Sequence, residues 1–199
     1  MKILKTTNDN LDENVINESI EVLANGGVIL YPTDTVYGLG ANIFDNTAVR
    51  KVFDIKNRNF LKPLSILISN TKSIDLVANV SILQKKVLNK YLPGPYTFIL
   101  YKSKIVPLYV TGGRATVGVR VPKNEIACKL ASLFPITTTS ANISNEQVLD
   151  DPKDILKQLN CDVDLVIDVG PIESKASTII DLTSNKMIVV ASLVVEAVR

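Results

Sequence analysis

Residues 26–68 read GGVILYPTDTVYGLGANIFDNTAVRKVFDIKNRNFLKPLSILI, and the fold turns on how this stretch is parsed. Residues 28–31 form an apolar, β-prone run that stops at Pro32, and residues 64–68 form a second; both predict buried strands. Between them the chain carries a polar turn, Thr33-Asp34-Thr35, and then a helix capped by Asp45. That helix places Ala48, Val49, Val52 and Phe53 on one face and ends near Ile55. Three cations follow, Lys56, Arg58 and Lys62, just before the second strand. Hydroxyls at a strand end beside a cationic triplet suit the grip of an anion, here a polyphosphate. Arginine supplies a planar fork for phosphate oxygens and lysine a mobile point charge. A solvated basic loop and a self-satisfied threonine turn are the competing readings of the two segments.

Outward from this stretch, strand and helix signals alternate. Leu11, Val15, Ile16, Ile20 and Leu23 make a helical stripe over 11–24, stopped by Asn25-Gly26-Gly27. Ser81 caps a helix to Tyr91 with Ile82, Leu83, Val87 and Leu88 facing inward, broken by Pro93-Gly94-Pro95. Strands are expected over 97–101 and 116–121, with a loop at 111–114 between them. Asn124 caps a helix through Ile126, Leu130 and Phe134, ended by Pro135, and 136–139 is a short strand. A polar turn over 140–147, a helix opening at Asp151-Pro152 and strands over 165–168, 178–181 and 187–190 finish the chain. The expectation is one α/β domain over 1–199, a twisted mixed sheet flanked by helices.

Composition narrows the chemistry. The 199 residues are 46% hydrophobic and 21% charged, with 22 basic and 20 acidic side chains for a net charge of +2, which argues against a wholly basic nucleic-acid binder. Histidine is absent, which removes Ser-His-Asp and Cys-His catalysis and any histidine-ligated metal. Only carboxylates, or a metal carried in by the substrate, are left for ion chemistry. Cys128 and Cys161 are far apart, outside any C-x-x-C spacing, and read as reduced core thiols of a cytoplasmic protein. No apolar run approaches the ~18 residues of a membrane span, and the opening MKILKTTNDN turns polar too soon for a secretory signal.

Two further segments carry polar side chains where apolar ones are expected. Residues 137–144, TTTSANIS, put hydroxyls and an amide on and after a short strand, either as a directional lining for phosphate or ribose or as a surface turn. In GVRVP, Arg120 lies opposite the face of Val117, Val119 and Val121, placed either to salt-bridge structurally or to clamp a ligand carboxylate. Gly38-Leu39-Gly40 is half of a dinucleotide fingerprint but lacks the third glycine and the tight strand-to-helix turn, so it is rejected as one.

With PTDTVYGLG, K-x-R and its downstream Lys62, PGPYT (93–97), VGVRVP (117–122), TTSAN (138–142) and STIID (177–181) in order, the chain resembles the YrdC-type threonylcarbamoyl-adenylate synthases, in a short single-domain form. The resemblance runs from about residue 11 to 190 and implies a sheet around a large basic concave cavity. It implies a nucleotidyltransferase that joins L-threonine, bicarbonate and ATP into threonylcarbamoyl-AMP, releasing pyrophosphate. A separate tRNA threonylcarbamoyl transferase then uses the product to make threonylcarbamoyladenosine in tRNA. Carried over by motif, Lys56, Arg58, Ser140 and Asn142 look catalytic, with Arg58, Lys62, Thr116 and Ser140 on ATP. Thr35, Arg120, Thr138 and Ser177 look like the L-threonine pocket. No dedicated metal site is implied, since Mg2+ arrives with ATP. The chain departs from the family pattern at Asn59, where many relatives have proline, and at Leu67, where some have histidine. It departs again at Ala191-Ser192-Leu193, where an arginine-proline-glycine turn is usual. Two rival readings stand beside this one: a non-catalytic RNA-binding module using the same cavity with weak, salt-dependent affinity, and a carbamoyl-adenylate enzyme of another pathway.

Overall fold

A computed structural model describes residues 1–7, 11–173, 175–184 and 187–191. In chain order they form β1 (Lys2–Lys5), α1 (Glu13–Ala24), β2 (Ile29–Tyr31), β3 (Gly38–Gly40), α2 (Asn46–Ile55), β4 (Ser65–Leu67), α3 (Ile74–Val77) and β5 (Ala78–Asn79). Then come α4 (Ile82–Tyr91), β6 (Tyr96–Lys102), α5 (Leu108–Thr111), β7 (Thr116–Arg120), α6 (Glu125–Leu130) and β8 (Ile136–Ser140). The last elements are α7 (Pro152–Leu159), β9 (Leu165–Asp168), β10 (Thr178–Asp181) and β11 (Ile188–Ala191).

Among the described residues one sheet runs β1-β9-β2-β3-β8-β4-β7-β6-β10-β11, with β5 paired to β6 off this path. It is mixed: β9 joins β1 and β2 in parallel, as β4 joins β7 and β6 joins β10, while β3, β8 and β11 pair antiparallel. Two apolar layers cover it. On one side α1 and α6 bring Val15, Ile16, Leu23, Ile126 and Leu130 onto Ile29, Tyr31, Leu67, Ile136 and Ile167. On the other, α2, α4 and α7 bring Val49, Val52, Phe53, Leu88 and Ile155 onto Leu30, Leu39, Ile66, Phe98 and Val119. Strand β2 is therefore buried on both faces, which is why 28–31 reads as an unbroken apolar run.

The helix starts fall where the polar caps put them: Asp12, Asp45, Ser81, Asn124 and Asp151 each accept a first-turn amide. Gly38–Gly40, rejected above as a dinucleotide turn, is a strand, and its glycines make room for the Tyr31 ring beneath it. A Cβ at Gly40 would lie 2.8 Å from Tyr31 Cε1. Several expectations are corrected. Ile82 and Leu83, expected inward, are exposed at 77% and 73%, because only the last turn of α4 reaches the core, through Leu88. Helix α6 stops at Leu130, short of Phe134. The core-thiol reading fails for Cys161, which is exposed, while Cys128 is half-buried and donates to the Pro122 carbonyl at 3.3 Å; both are free. Strands β1 and β5 carried no usable periodicity in so few residues. No helix among the described residues is long and apolar enough to cross a membrane.

Candidate functional site

Strands β8, β4, β7 and β6 put polar side chains along one cavity of about 240 Å³, which Gly38 of β3 and Ile179 of β10 also line. Strand register sets the row: Gly38 pairs with Ser140, Ser65 with Thr138, and Ile179 with Thr97, and all of these line the cavity. Thr33, Tyr37, Arg58, Arg120, Thr139 and Ser177 complete the polar part of the wall. Gly118 lies between two lining residues, Ser65 and Thr97: a Cβ there would sit 2.5 Å from Ser65 Oγ and 3.2 Å from Thr97 Cγ2. On the far rim Ser177 and Thr97 share a hydroxyl hydrogen bond of 3.0 Å. Tyr37 donates to the Gly170 carbonyl at 2.8 Å and accepts from the Val169 amide at 3.0 Å, pinning the chain where it leaves β9. Burial pushes that phenol up to about 12, so it stays a neutral donor.

Arg120, at the end of β7, is the cation at the bottom of this row and is 5% exposed. Its Nη2 donates to Asp34 Oδ1 at 2.5 Å and to Thr35 Oγ1 at 2.6 Å. Asp34 Oδ2 accepts the Lys123 amide at 2.9 Å, and the Thr33 and Thr35 hydroxyls meet at 3.0 Å. The turn Thr33-Asp34-Thr35 thus wraps the guanidinium, and both readings of Arg120 hold in part. It makes a buried ion pair, and it also lines the cavity; its Nε–H is closed off inside the protein and has no acceptor among the described residues. A buried donor without an acceptor is an unfilled hydrogen bond.

The cationic loop begins where α2 ends. Asn57, in the left-handed region at φ 47, closes the helix: its amide reaches the Asp54 carbonyl at 3.0 Å and the Arg58 amide the Phe53 carbonyl at 2.9 Å. This stop turns Lys56 inward and carries Arg58 on to the cavity wall. Arg58 is held by the Pro63 carbonyl at 2.8 Å from Nη2, and burial lowers its pKa from the ordinary range. Lys56 is 2% exposed, and its Nζ donates to Ser140 O at 2.5 Å, Asn142 O at 2.6 Å and Asn142 Oδ1 at 3.0 Å. Burial, and after it the neighbouring Arg58 charge, lower this ammonium from 10.5 to about 7. The three oxygens pull the other way, since only the charged form can fill all of them.

The structure therefore divides the residues singled out in the sequence. Arg58, Arg120, Thr138, Ser140 and Ser177 line the cavity together. Thr35, Lys56 and Asn142 stand behind its wall, buried and hydrogen-bonded to residues that do line it. Lys62 is exposed on the loop outside, and Thr116 starts β7, four residues before Arg120 and outside the lining. Among the departures, Asn59 accepts the Leu61 amide at 2.8 Å and so turns the loop without a proline. Leu67 is fully buried in the α1 and α6 layer, away from the cavity. Ala191 ends β11, and residues 192 and 193 lie outside the described residues. Sequence reading missed Ser65, Thr97, Tyr37 and Gly118; the available signal was a hydroxyl or glycine breaking an apolar strand run at each of 65, 97 and 118.

The family model for Sua5, YciO and YrdC, described as "Telomere recombination", matches residues 21–191. A Methanocaldococcus jannaschii protein provisionally named as a threonylcarbamoyl-AMP synthase is 42% identical over 167 residues, 83% of this chain and 79% of that protein. The crystal structure of Pyrococcus abyssi Sua5 complexed with L-threonine superposes with a TM-score of 0.89 at 33% identity, over 95% of this chain and 56% of that one, so this chain spans about half of its length. The Escherichia coli YciO crystal structure superposes with a TM-score of 0.88 at 32% identity, over 96% of this chain and 95% of that one. A family model that takes in residues 21–191, with two solved folds of this closeness, means that the chain belongs to the Sua5, YciO and YrdC family.

Proposed function

We propose that this protein is a threonylcarbamoyl-AMP synthase, a nucleotidyltransferase that joins L-threonine, bicarbonate and ATP and releases pyrophosphate, in support of threonylcarbamoyladenosine formation in tRNA. The observation that carries the reading is a cation, Arg120, lining one cavity together with the hydroxyls of Thr138, Thr139, Ser140 and Ser177. The name of the M. jannaschii relative and the threonine complex of P. abyssi Sua5 support the same substrate. They favour an enzyme over the silent RNA-binding module.

In this reading the amino acid's carboxylate faces Arg120, with Thr138 and Ser177 around the rest of it and Thr35 holding the arginine from behind. The threonine amine attacks the bicarbonate carbon and water leaves, giving a carbamate, and a carbamate oxygen attacks the α-phosphorus of ATP as pyrophosphate leaves. Charge grows on the departing oxygens, so Arg58 on the wall, with Lys62 outside it, supplies the positive field that makes the cavity basic. At about 240 Å³ the cavity is smaller than the ~300–1,000 Å³ of sites for drug-sized ligands, so it holds the amino acid and the reacting phosphate. The nucleoside then lies outside, beyond Arg58 and towards Thr116. Mg2+ enters as part of the ATP substrate. The protein works in the cytoplasm and hands its product to a tRNA threonylcarbamoyl transferase.

The test is pyrophosphate release with threonine and bicarbonate supplied singly and together. Release should need both, and Arg58→Ala should lower kcat/KM by about a hundredfold or more. Equal release without threonine would sink the substrate assignment.

A further inference from the structure

We infer that Lys56 is a positioning residue that fixes the turn 140–142 against Arg58 and does not itself touch the polyphosphate; the inference rests on the ATP-dependent reading above. An ammonium has three N–H bonds and no acceptor. Lys56 spends them on Ser140 O, Asn142 O and Asn142 Oδ1, at 2.5, 2.6 and 3.0 Å, and its own carbonyl accepts the Ser144 amide at 2.8 Å. Swinging Nζ into the cavity to meet a phosphate would strand three acceptors, two of them on the buried Asn142.

The effect of the lysine passes through Asn142. That amide donates from Nδ2 to Ile143 O at 3.0 Å and Glu146 O at 2.7 Å, so its orientation is fixed and Oδ1 faces Lys56. The same Oδ1 accepts the Ser140 hydroxyl at 2.7 Å. Ser140 Oγ has a single hydrogen, and this bond uses it. Ser140 therefore offers an incoming ligand lone pairs rather than a donor, which suits a substrate N–H, a hydroxyl or the hydration shell of the cation that accompanies ATP. Arg58 is left as the donor to phosphate oxygens at that end of the cavity. The bond between 56 and 142 also joins the C-terminus of α2 to the end of β8, so one buried side chain sets the distance between the cavity's two walls.

Amine acetylation of the wild-type protein, read by mass spectrometry with and without inorganic pyrophosphate, tests this without any variant. Lys56 should label at least about tenfold more slowly than Lys62, and pyrophosphate should leave its rate unchanged within twofold. Labelling of Lys56 at the rate of exposed lysines, with protection by pyrophosphate, overturns the inference. Kinetics supply a second readout. Lys56→Met should lower kcat/KM for ATP at least about tenfold while the calorimetric Kd for threonine moves less than twofold. Adding Asn142→Ala to Lys56→Met should lower activity no further, whereas adding Arg58→Ala should multiply the losses. Independent, multiplying losses for 56 and 142 would count against the inference. If Lys56→Met does not fold, the wild-type labelling decides alone. A wild-type protein with no threonine-dependent pyrophosphate release would sink the proposed function and leave the labelling result standing.

Discussion

At the residue scale the decisive feature is that charges here are met by partners, not by solvent. Arg120 and Asp34 are a pair whose side chains are 6% and 11% exposed, joined at 2.5 Å. Breaking such a pair leaves one ion buried and alone, so Arg120→Met should destabilise by about 3–5 kcal/mol in urea melts. Arg120→Met with Asp34→Leu should recover much of that loss, because neither charge then remains. Activity should stay lost in both, which separates the stabilising from the substrate-facing part of Arg120. Lys56 gives a pH prediction. Its folded pKa of about 7 lies below the ordinary 10.5, so between those values the unfolded chain binds more protons than the folded one. Burial by itself should therefore make stability rise with pH across that window, and the three acceptors of the charged form reduce the rise, to at most about 2 kcal/mol between pH 7.5 and 9.5. Unfolding curves of the wild type and Lys56→Met at those pH values check it: the variant should lack the rise.

At the element scale, α2 is the helix that matters, because its two ends do different work. Asp45 accepts the Ala48 amide at 2.9 Å at the start, and Asn57 supplies the left-handed stop that delivers Lys56 and Arg58. Asp45→Ala should cost about 1 kcal/mol and leave kcat near the wild-type value, since the cap is remote from the cavity. Asn57→Val should cost a further 1–2 kcal/mol or so for a β-branched residue at positive φ, and should also lower activity by disturbing Arg58. Thermal melts beside the pyrophosphate assay separate the two outcomes. The Asp45 cap and the helix end near Ile55 were legible in the sequence because they depend on residues within a few positions; the left-handed stop at Asn57 was not singled out there. The inward face of α4 was not legible either, since Ile82 and Leu83 have the right spacing and lie past the point where the helix meets the sheet.

At the scale of the whole molecule, the cavity exists because register brings six neighbouring strands together around a glycine. Gly118→Val should push on two lining residues: threonine affinity should fall by about tenfold or more, with a stability loss of about 1–3 kcal/mol from the clash with Ser65 and Thr97. Calorimetric titration with threonine reads the first and urea melts the second. The sequence by itself determined the alternation of strands and helices, the caps, the mixed α/β class and the family motifs, because apolar periodicity and local hydrogen bonds act between near neighbours. It also singled out Arg58, Arg120, Thr138, Ser140 and Ser177, which line the cavity. Only the tertiary structure decided that Lys56 serves Asn142, 86 residues away, that Asp34 neutralises Arg120 from the same distance, and that Thr97 and Ser65 belong to the wall. A chain's spacing says which residues share a strand face. Which strands lie side by side, and therefore which buried donor finds which acceptor, is set by the packing of the whole sheet.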